Sequence, residues 1–348
     1  MFGLGRQEVM GVDIGSFAVK IVQMRKASNH WLVTAAGIVD VSDKGTDNPG
    51  RKETNIARAV HNCIRLTGIK SKLAVCGVGG AEVAVRDFEF PKIPEEQVER
   101  AIMLEAKQVC PFNTDQIAVD YRLIANGDGK TRGYLVVATE SLVKSTVRVA
   151  ERAHLNCAMM DVDGLALLNC FNQVEKPDQN HGTAILNIGS NYTTFTIEED
   201  GGWPFIRNLG YAGDSIVEAI AAENEMTTDA VKAMFAGDPK AIPPNIHDSF
   251  KRACDRLIND ITKTVRYYGA QKRSSDIRKI LVCGGFSLFG AIVRILDNNL
   301  PMDVELWNPF EKMRCQVGRN HRGVLVKSIL RKNGPAMAVA AGLAMRAV

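Results

Sequence analysis

Apolar and polar positions along this chain switch repeatedly between two periods. Alternating and continuous apolar runs predict three strands within residues 9–41 and a fourth at 73–78, because a strand turns successive side chains to opposite faces. Between them Ile56, Ala59, Val60, Cys63, Ile64 and Leu66 recur at helical spacing, after a polar turn across 44–51. Residues 82–158 predict a self-contained βαββα pattern. It comprises a strand at 82–90, a helix at 94–110 opened by Pro94, strands at 117–125 and 134–139, and a helix at 141–154. Asn126-Gly127-Asp128-Gly129 between the two later strands is a strong hairpin signal. A helix through 165–171 and a polar linker at 173–182 follow. The opening scheme then recurs, with strands at 184–188, 193–198 and 205–209 and a helix at 214–224. A loop at 236–244, rich in proline, leads to a long helix at 246–271. Phe250, Cys254, Leu257, Ile258, Ile261 and Val265 form its apolar stripe, which reads as core. A buried strand at 280–283 runs into Gly284-Gly285, and an apolar helix is expected after it.

Strands and helices in repeating order predict α/β layers. The recurrence divides the chain into a first half at 1–81 plus 157–180, an inserted small unit at 82–156, and a second half at 181–348. With 348 residues, two or three compact units are expected rather than one core. Composition narrows function by exclusion. The net charge is +4, aromatics make up 6%, and no long Lys/Arg run occurs, so nucleic-acid binding is not indicated. The opening Met1–Arg6 reads as neither a signal peptide nor an anchor. No stretch approaches the roughly 20 apolar residues of a spanning helix, so no direct membrane insertion is expected. No two of the eight cysteines form Cys-x-x-Cys. They read as small buried hydrophobes in a reducing cytoplasm.

Candidate chemistry concentrates in two short segments. Gly11-Val12-Asp13-Ile14-Gly15-Ser16 continues to Lys20, and Leu186-Asn187-Ile188-Gly189-Ser190-Asn191 continues to Thr194. Each is an apolar strand that reaches a polar residue, a Gly and a Ser, then enters a second strand. A glycine at the tip of such a hairpin lets backbone N–H groups approach a phosphate with no Cβ in the way. A single copy reads equally as an ordinary turn; two copies, each opening a half, suggest one nucleotide held from both sides. Asp13 would take a metal ion or its waters. Lys20 either reaches back to the loop tip or is a solvated strand lysine. Gly284 and Gly285 would let a flat base or ribose approach the backbone.

In this order the three elements resemble the phosphate 1, phosphate 2 and adenosine motifs of the actin-like ATPase superfamily, whose duplicated halves have a ribonuclease H-like fold. Gly334-Pro335-Ala336-Met337-Ala338 through Ala344 is similar to its second connecting helix. Within the superfamily, Phe90-Pro91-Lys92-Ile93-Pro94, Glu105-Ala106-Lys107-Gln108-Val109-Cys110-Pro111-Phe112, Asp161-Val162-Asp163-Gly164 and Leu306-Trp307-Asn308-Pro309-Phe310 resemble the PilM-like family of type IV pilus assembly proteins. The resemblance implies ATP and Mg²⁺ as cofactors. It implies a cytoplasmic protein, peripheral at the inner membrane through its partners. Those partners would be the N-terminal tail of a PilN-like membrane protein, other pilus platform and motor proteins, and further copies of the chain.

The resemblance also assigns roles residue by residue. Asp13, Gly15, Ser16, Lys20, Asn187, Gly189, Ser190, Asn191, Gly284 and Gly285 would contact the nucleotide, and Gly213 and Lys232 would lie near its sugar. Asn187 departs from the usual Asp of the second loop. An amide can bond a metal-bound water or phosphate but cannot act as a carboxylate base, so slow or absent hydrolysis is expected. Asp161 and Asp163 could replace part of that charge; for Asp163, capping of the following helix is the preferred reading. Glu105, Pro111 and Phe112 would line the tail-binding groove, although Phe112 reads almost equally as a staple onto its own sheet. An FtsA-like division protein remains a second reading, disfavoured because such proteins end in a basic amphipathic helix and this chain stops at Val348. A sugar or acetate kinase is a third.

Overall fold

A computed structural model describes residues 8–27, 30–42, 48–112, 116–124, 129–176, 181–199, 203–237, 241–271, 275–316 and 326–346. The expected polar turn at 44–51 lies partly outside this set, as do the hairpin turn at 126–129, the linker at 173–182 and the loop at 236–244. Met1–Arg6 and Val348 lie wholly outside it.

The chain opens with β1 (Met10–Ile14), β2 (Ala18–Ala27), β3 (His30–Asp40), α1 (Pro49–Thr67) and β4 (Leu73–Val78). Next come β5 (Val83–Pro91), α2 (Glu95–Val109), β6 (Ile117–Ile124), β7 (Lys130–Thr139) and α3 (Glu140–Arg152). β8 (Asn156–Val162) and α4 (Asp163–Val174) return to the first sheet. The second cycle has β9 (Gly182–Ile188), β10 (Thr193–Glu199), β11 (Trp203–Leu209), α5 (Gly213–Glu223), α6 (Thr228–Ala236) and α7 (Pro244–Gly269). It closes with β12 (Ile277–Cys283), α8 (Ala291–Asn299), β13 (Asp303–Leu306), β14 (Arg314–Cys315), α9 (Val326–Asn333) and α10 (Ala338–Ala344).

Three sheets result, ordered β14-β3-β2-β1-β4-β8, β11-β10-β9-β12-β13 and β5-β7-β6. In the two larger sheets the same motif recurs: an antiparallel meander of three strands, with a parallel strand added beside the first. α1 begins at Asn48, whose side chain accepts the Arg51 N–H, and ends at Gly68 with φ 73°, the left-handed conformation that favours glycine.

The larger sheets share a core. α4 and α10 pack between them, so that Ala166, Leu167, Ala340 and Leu343 join Val22 and Val75 of one sheet and Ile185 and Leu281 of the other. The approach is close enough to forbid side chains. A Cβ on Gly11 would stand 2.1 Å from the Ala340 carbonyl oxygen, and one on Gly342 would stand 1.8 Å from that of Ala166. α3 ties the small sheet to the first large one, because Arg148 and Ser145 both donate to the buried Glu53 carboxylate of α1.

Candidate functional site

The first loop is a hairpin in which Asp13 pairs directly with Lys20 and Ile14 with Val19. Cross-strand neighbours share a face, so both charged side chains point the same way. Lys20 Nζ lies 3.1 Å from Asp13 Oδ2. The lysine also bends toward the tip: a Cβ on Gly15 would stand 2.7 Å from its Nζ. Ser16 is half-buried beside that glycine.

The second loop repeats this register. Asn187 pairs with Thr194, and Ile188 with Thr193. The loop closes through the Gly189 N–H, which donates to the Tyr192 carbonyl at 3.1 Å. Ser190 is half-buried and Asn191 exposed. The N-terminus of α5 docks onto the same loop. The Gly213 and Asp214 N–H groups donate to the Gly189 and Ser190 carbonyls at 3.0 and 2.9 Å, so two of the helix's leading donors are already engaged.

Gly284 has φ 95°, and a Cβ there would stand 2.4 Å from the Ile188 carbonyl oxygen and 2.5 Å from Asn187 Oδ1. The strand end bearing the two glycines therefore abuts the second loop, while Gly285 faces open space. The expected helix does not begin there. A short 3₁₀ turn, Gly285–Leu288, comes first, and α8 starts at Ala291. Phe286 of that turn packs against Gly213, where a Cβ would lie 2.5 Å from its ring. Lys232 of α6 pairs with Asp214 of α5 at 2.9 Å, and both are partly exposed.

Asp163 corrects the sequence reading. It does not cap α4: the cap position is Val162, and no side chain serves it. Asp163 is instead buried on the first turn, where Oδ2 accepts the Tyr192 hydroxyl at 2.6 Å. Burial, with the Asp13 carboxylate adding to it, pushes its pKa up to about 7. Gly79 makes room for the pair, since a Cβ there would stand 2.5 Å from Asp163 Oδ2 and 2.7 Å from the Tyr192 hydroxyl. Asn208 adds a second tie from β11, donating to the Gly80 carbonyl after β4 and the Val83 carbonyl at the start of β5 at 2.9 and 3.2 Å. Asp161 is separately engaged by Arg346 Nε at 2.5 Å. Tyr192 and Asn208 were not singled out from sequence. The Gly79-Gly80 pair just after a strand was the available signal.

On the small sheet, Glu105 is half-buried on α2 and Pro111 is exposed. Phe112 packs against the cluster of Phe88, Ile102, Leu135 and Val137 beneath α2, which is the staple arrangement. A separate groove lies between the small sheet and the second large one, lined by Arg86, Trp203, Arg207 and Tyr267 among others.

The family profile of type IV pilus assembly protein PilM matches residues 11–348. The chain belongs to the PilM family. A solved PilM–PilN type IV pilus biogenesis complex superposes with a TM-score of 0.81 at 21% identity, covering 97% of this chain and 98% of that one. Ethanolamine utilization protein EutJ from Carboxydothermus hydrogenoformans gives a TM-score of 0.55 at 10% identity, with 98% and 90% covered. Cell division protein FtsA of Bacillus subtilis (strain 168) is 24% identical over 249 residues, 63% of this chain. The chain spans 55% of that relative's length. The fold of this PilM-family chain is the actin-like α/β type. Among the described residues no helix is long and apolar enough to cross a membrane.

Proposed function

We propose that this PilM-family chain is a cytoplasmic ATP-binding scaffold of a type IV pilus inner-membrane assembly platform, peripheral to the membrane through its partners, and that it binds the N-terminal tail of a PilN-like protein. The observation that carries the nucleotide assignment is the repeated hairpin register, with Asp13 and Lys20 opposed in one loop and Asn187 and Thr194 in the other. These residues fit Mg-ATP. Lys20 supplies a cation for phosphate oxygens, Gly15 and Gly189 keep both loop tips free of a Cβ, and Asp13 is a carboxylate for the ion's waters. Bound Mg²⁺ would neutralise phosphate charge. Gly213, Gly284 and Gly285 would flank the nucleoside, and Lys232 its sugar.

Titration calorimetry with Mg-ATP tests this reading. Asp13→Ala and Lys20→Ala are each expected to lower affinity at least tenfold, about 1.4 kcal/mol; unchanged affinity in both refutes the site. For the partner, the PilN complex of the structural relative motivates a docking role for residues 82–156, with Glu105 and Pro111 as its contacts and Phe112, packed on its own sheet, supporting them from beneath. Replacing only residues 82–139 by a flexible linker, which keeps α3 because its Val149, Ala150 and Ala153 are buried in the core of the first large sheet, should abolish tail binding while ATP binding survives. Glu105→Arg in the full chain provides the same readout without the deletion. Tail binding retained in both variants moves the docking site to the main fold.

A further inference from the structure

β6 is an outer strand of the small sheet, and no described strand pairs with its far side. Such an edge presents a row of N–H and C=O groups that another strand can match. One bond establishes which residues face outward. The Glu140 N–H donates to the Gln116 carbonyl at 3.0 Å, and along an antiparallel strand successive residues turn alternately toward and away from their neighbour. The β6–β7 register continues without a shift from Ile117 to Ile124. Ala118, Asp120 and Arg122 therefore direct their backbone groups toward β7, and Val119, Tyr121 and Leu123 direct theirs outward. The Tyr121 N–H donates to the Asp120 carboxylate at 2.8 Å, a local bond that covers the free edge.

This edge is complementary to itself. With a second β6 antiparallel to the first and Tyr121 on the two-fold axis, the Tyr121 N–H exchanges the Asp120 carboxylate for the Tyr121 carbonyl of the second copy, and all three outward-facing residues find backbone partners. Val119 then lies opposite Leu123 of the second copy, on the face that carries α2. On the other face Asp120 lies opposite Arg122 of the second copy, twice per dimer. Asp120, Tyr121, Arg122 and Leu123 are all exposed. The neighbouring registers that keep the backbone matched set Asp120 against Asp120 or Arg122 against Arg122, and like charges directly opposite are unfavourable. Charge thus selects one alignment out of the set.

We propose that β6 is a self-association site, at which two copies of this chain join their small sheets into one six-stranded sheet about Tyr121. A strand edge covers much less than the roughly 1,600 Å² of a standard stable interface, so the dimer is weak and concentration-dependent.

Sedimentation equilibrium of the full chain tests the proposal. The wild-type dimer fraction should rise with concentration. Asp120→Arg alone and Arg122→Asp alone should each weaken self-association at least tenfold, because each sets like charges face to face. An equimolar mixture of the two variants should recover the wild-type association, since both cross-strand pairs again have opposite signs. The double exchange in one chain should recover it as well. A wild-type chain that stays monomeric at every concentration, single variants that associate like wild type, or a mixture that regains nothing would each overturn the proposal. The first of these outcomes would leave the edge to an extended peptide.

Discussion

The two phosphate-type loops share a backbone and differ in charge. In each, a strand crosses to its neighbour over the same loop length, and Asp13, Gly15, Ser16 and Lys20 of the first correspond to Asn187, Gly189, Ser190 and Thr194 of the second. The first loop holds an opposed ion pair. At the matching positions the second holds an amide and a hydroxyl, and the Thr194 hydroxyl donates to Asn208 at 3.0 Å. Where the first loop has Ala18, the second has Tyr192, which reaches the other half to grip Asp163. The hairpin geometry is the same in both, while the side chains divide the work: one loop carries the charge and the other reaches across to Asp163.

Both loops hang from one frame, so breaking that frame should damage them equally and most severely. Gly342→Ala drives a Cβ into the backbone of α4 and is expected to lower stability by about 3 kcal/mol, read by chemical denaturation. An unchanged midpoint would show that α4 and α10 can part without cost.

The second effect comes from Asp163, which faces Asp13, Lys20, Asp161 and Tyr192. Its folded pKa of about 7 lies above the ordinary 3.8. Between those values the folded chain holds a proton that the unfolded chain has released, so stability falls as pH rises from about 4 to about 7. Asp163→Asn should remove most of that decline between about pH 4 and about pH 7. Parallel wild-type and variant profiles would remove the carboxyl from the account.

The asymmetry of the loops is sharpened by exchanging chemistry between them. Thr194→Ala should cost less ATP affinity than the tenfold expected for Lys20→Ala; equal losses would make the loops equivalent. Asn187→Asp should raise turnover from a wild-type rate far below the ~10 s⁻¹ common among enzymes, measured by phosphate release. The smallest effect is expected at Lys232. Its exposed pair with Asp214 contributes at most about 0.5 kcal/mol to stability, and Lys232→Ala should lower ATP affinity only a few-fold. No change in calorimetry would place Lys232 outside the nucleotide site.

The sequence by itself determined most of the strands and helices, the two glycine-tipped loops and the family, while β8, β13, β14 and α9 were not read from it. Those features rest on short-range patterns: alternation along a strand, three-to-four spacing along a helix, glycine where backbone must be bare. Element ends were less legible. The strand at 134–139 begins earlier, at Lys130, because its pairing with β5 extends the ladder beyond its apolar run. Tertiary structure alone decided what Asp163 does. At the start of a helix an aspartate looks like a cap, and only the fold brings Tyr192 within 2.6 Å of it. The same holds for the α5 N-terminus, whose leading donors are engaged by the second loop, and for Phe112, which turns onto its own sheet. Each outcome depends on contacts between residues far apart in the chain, and local periodicity carries no record of which distant group fills a given space.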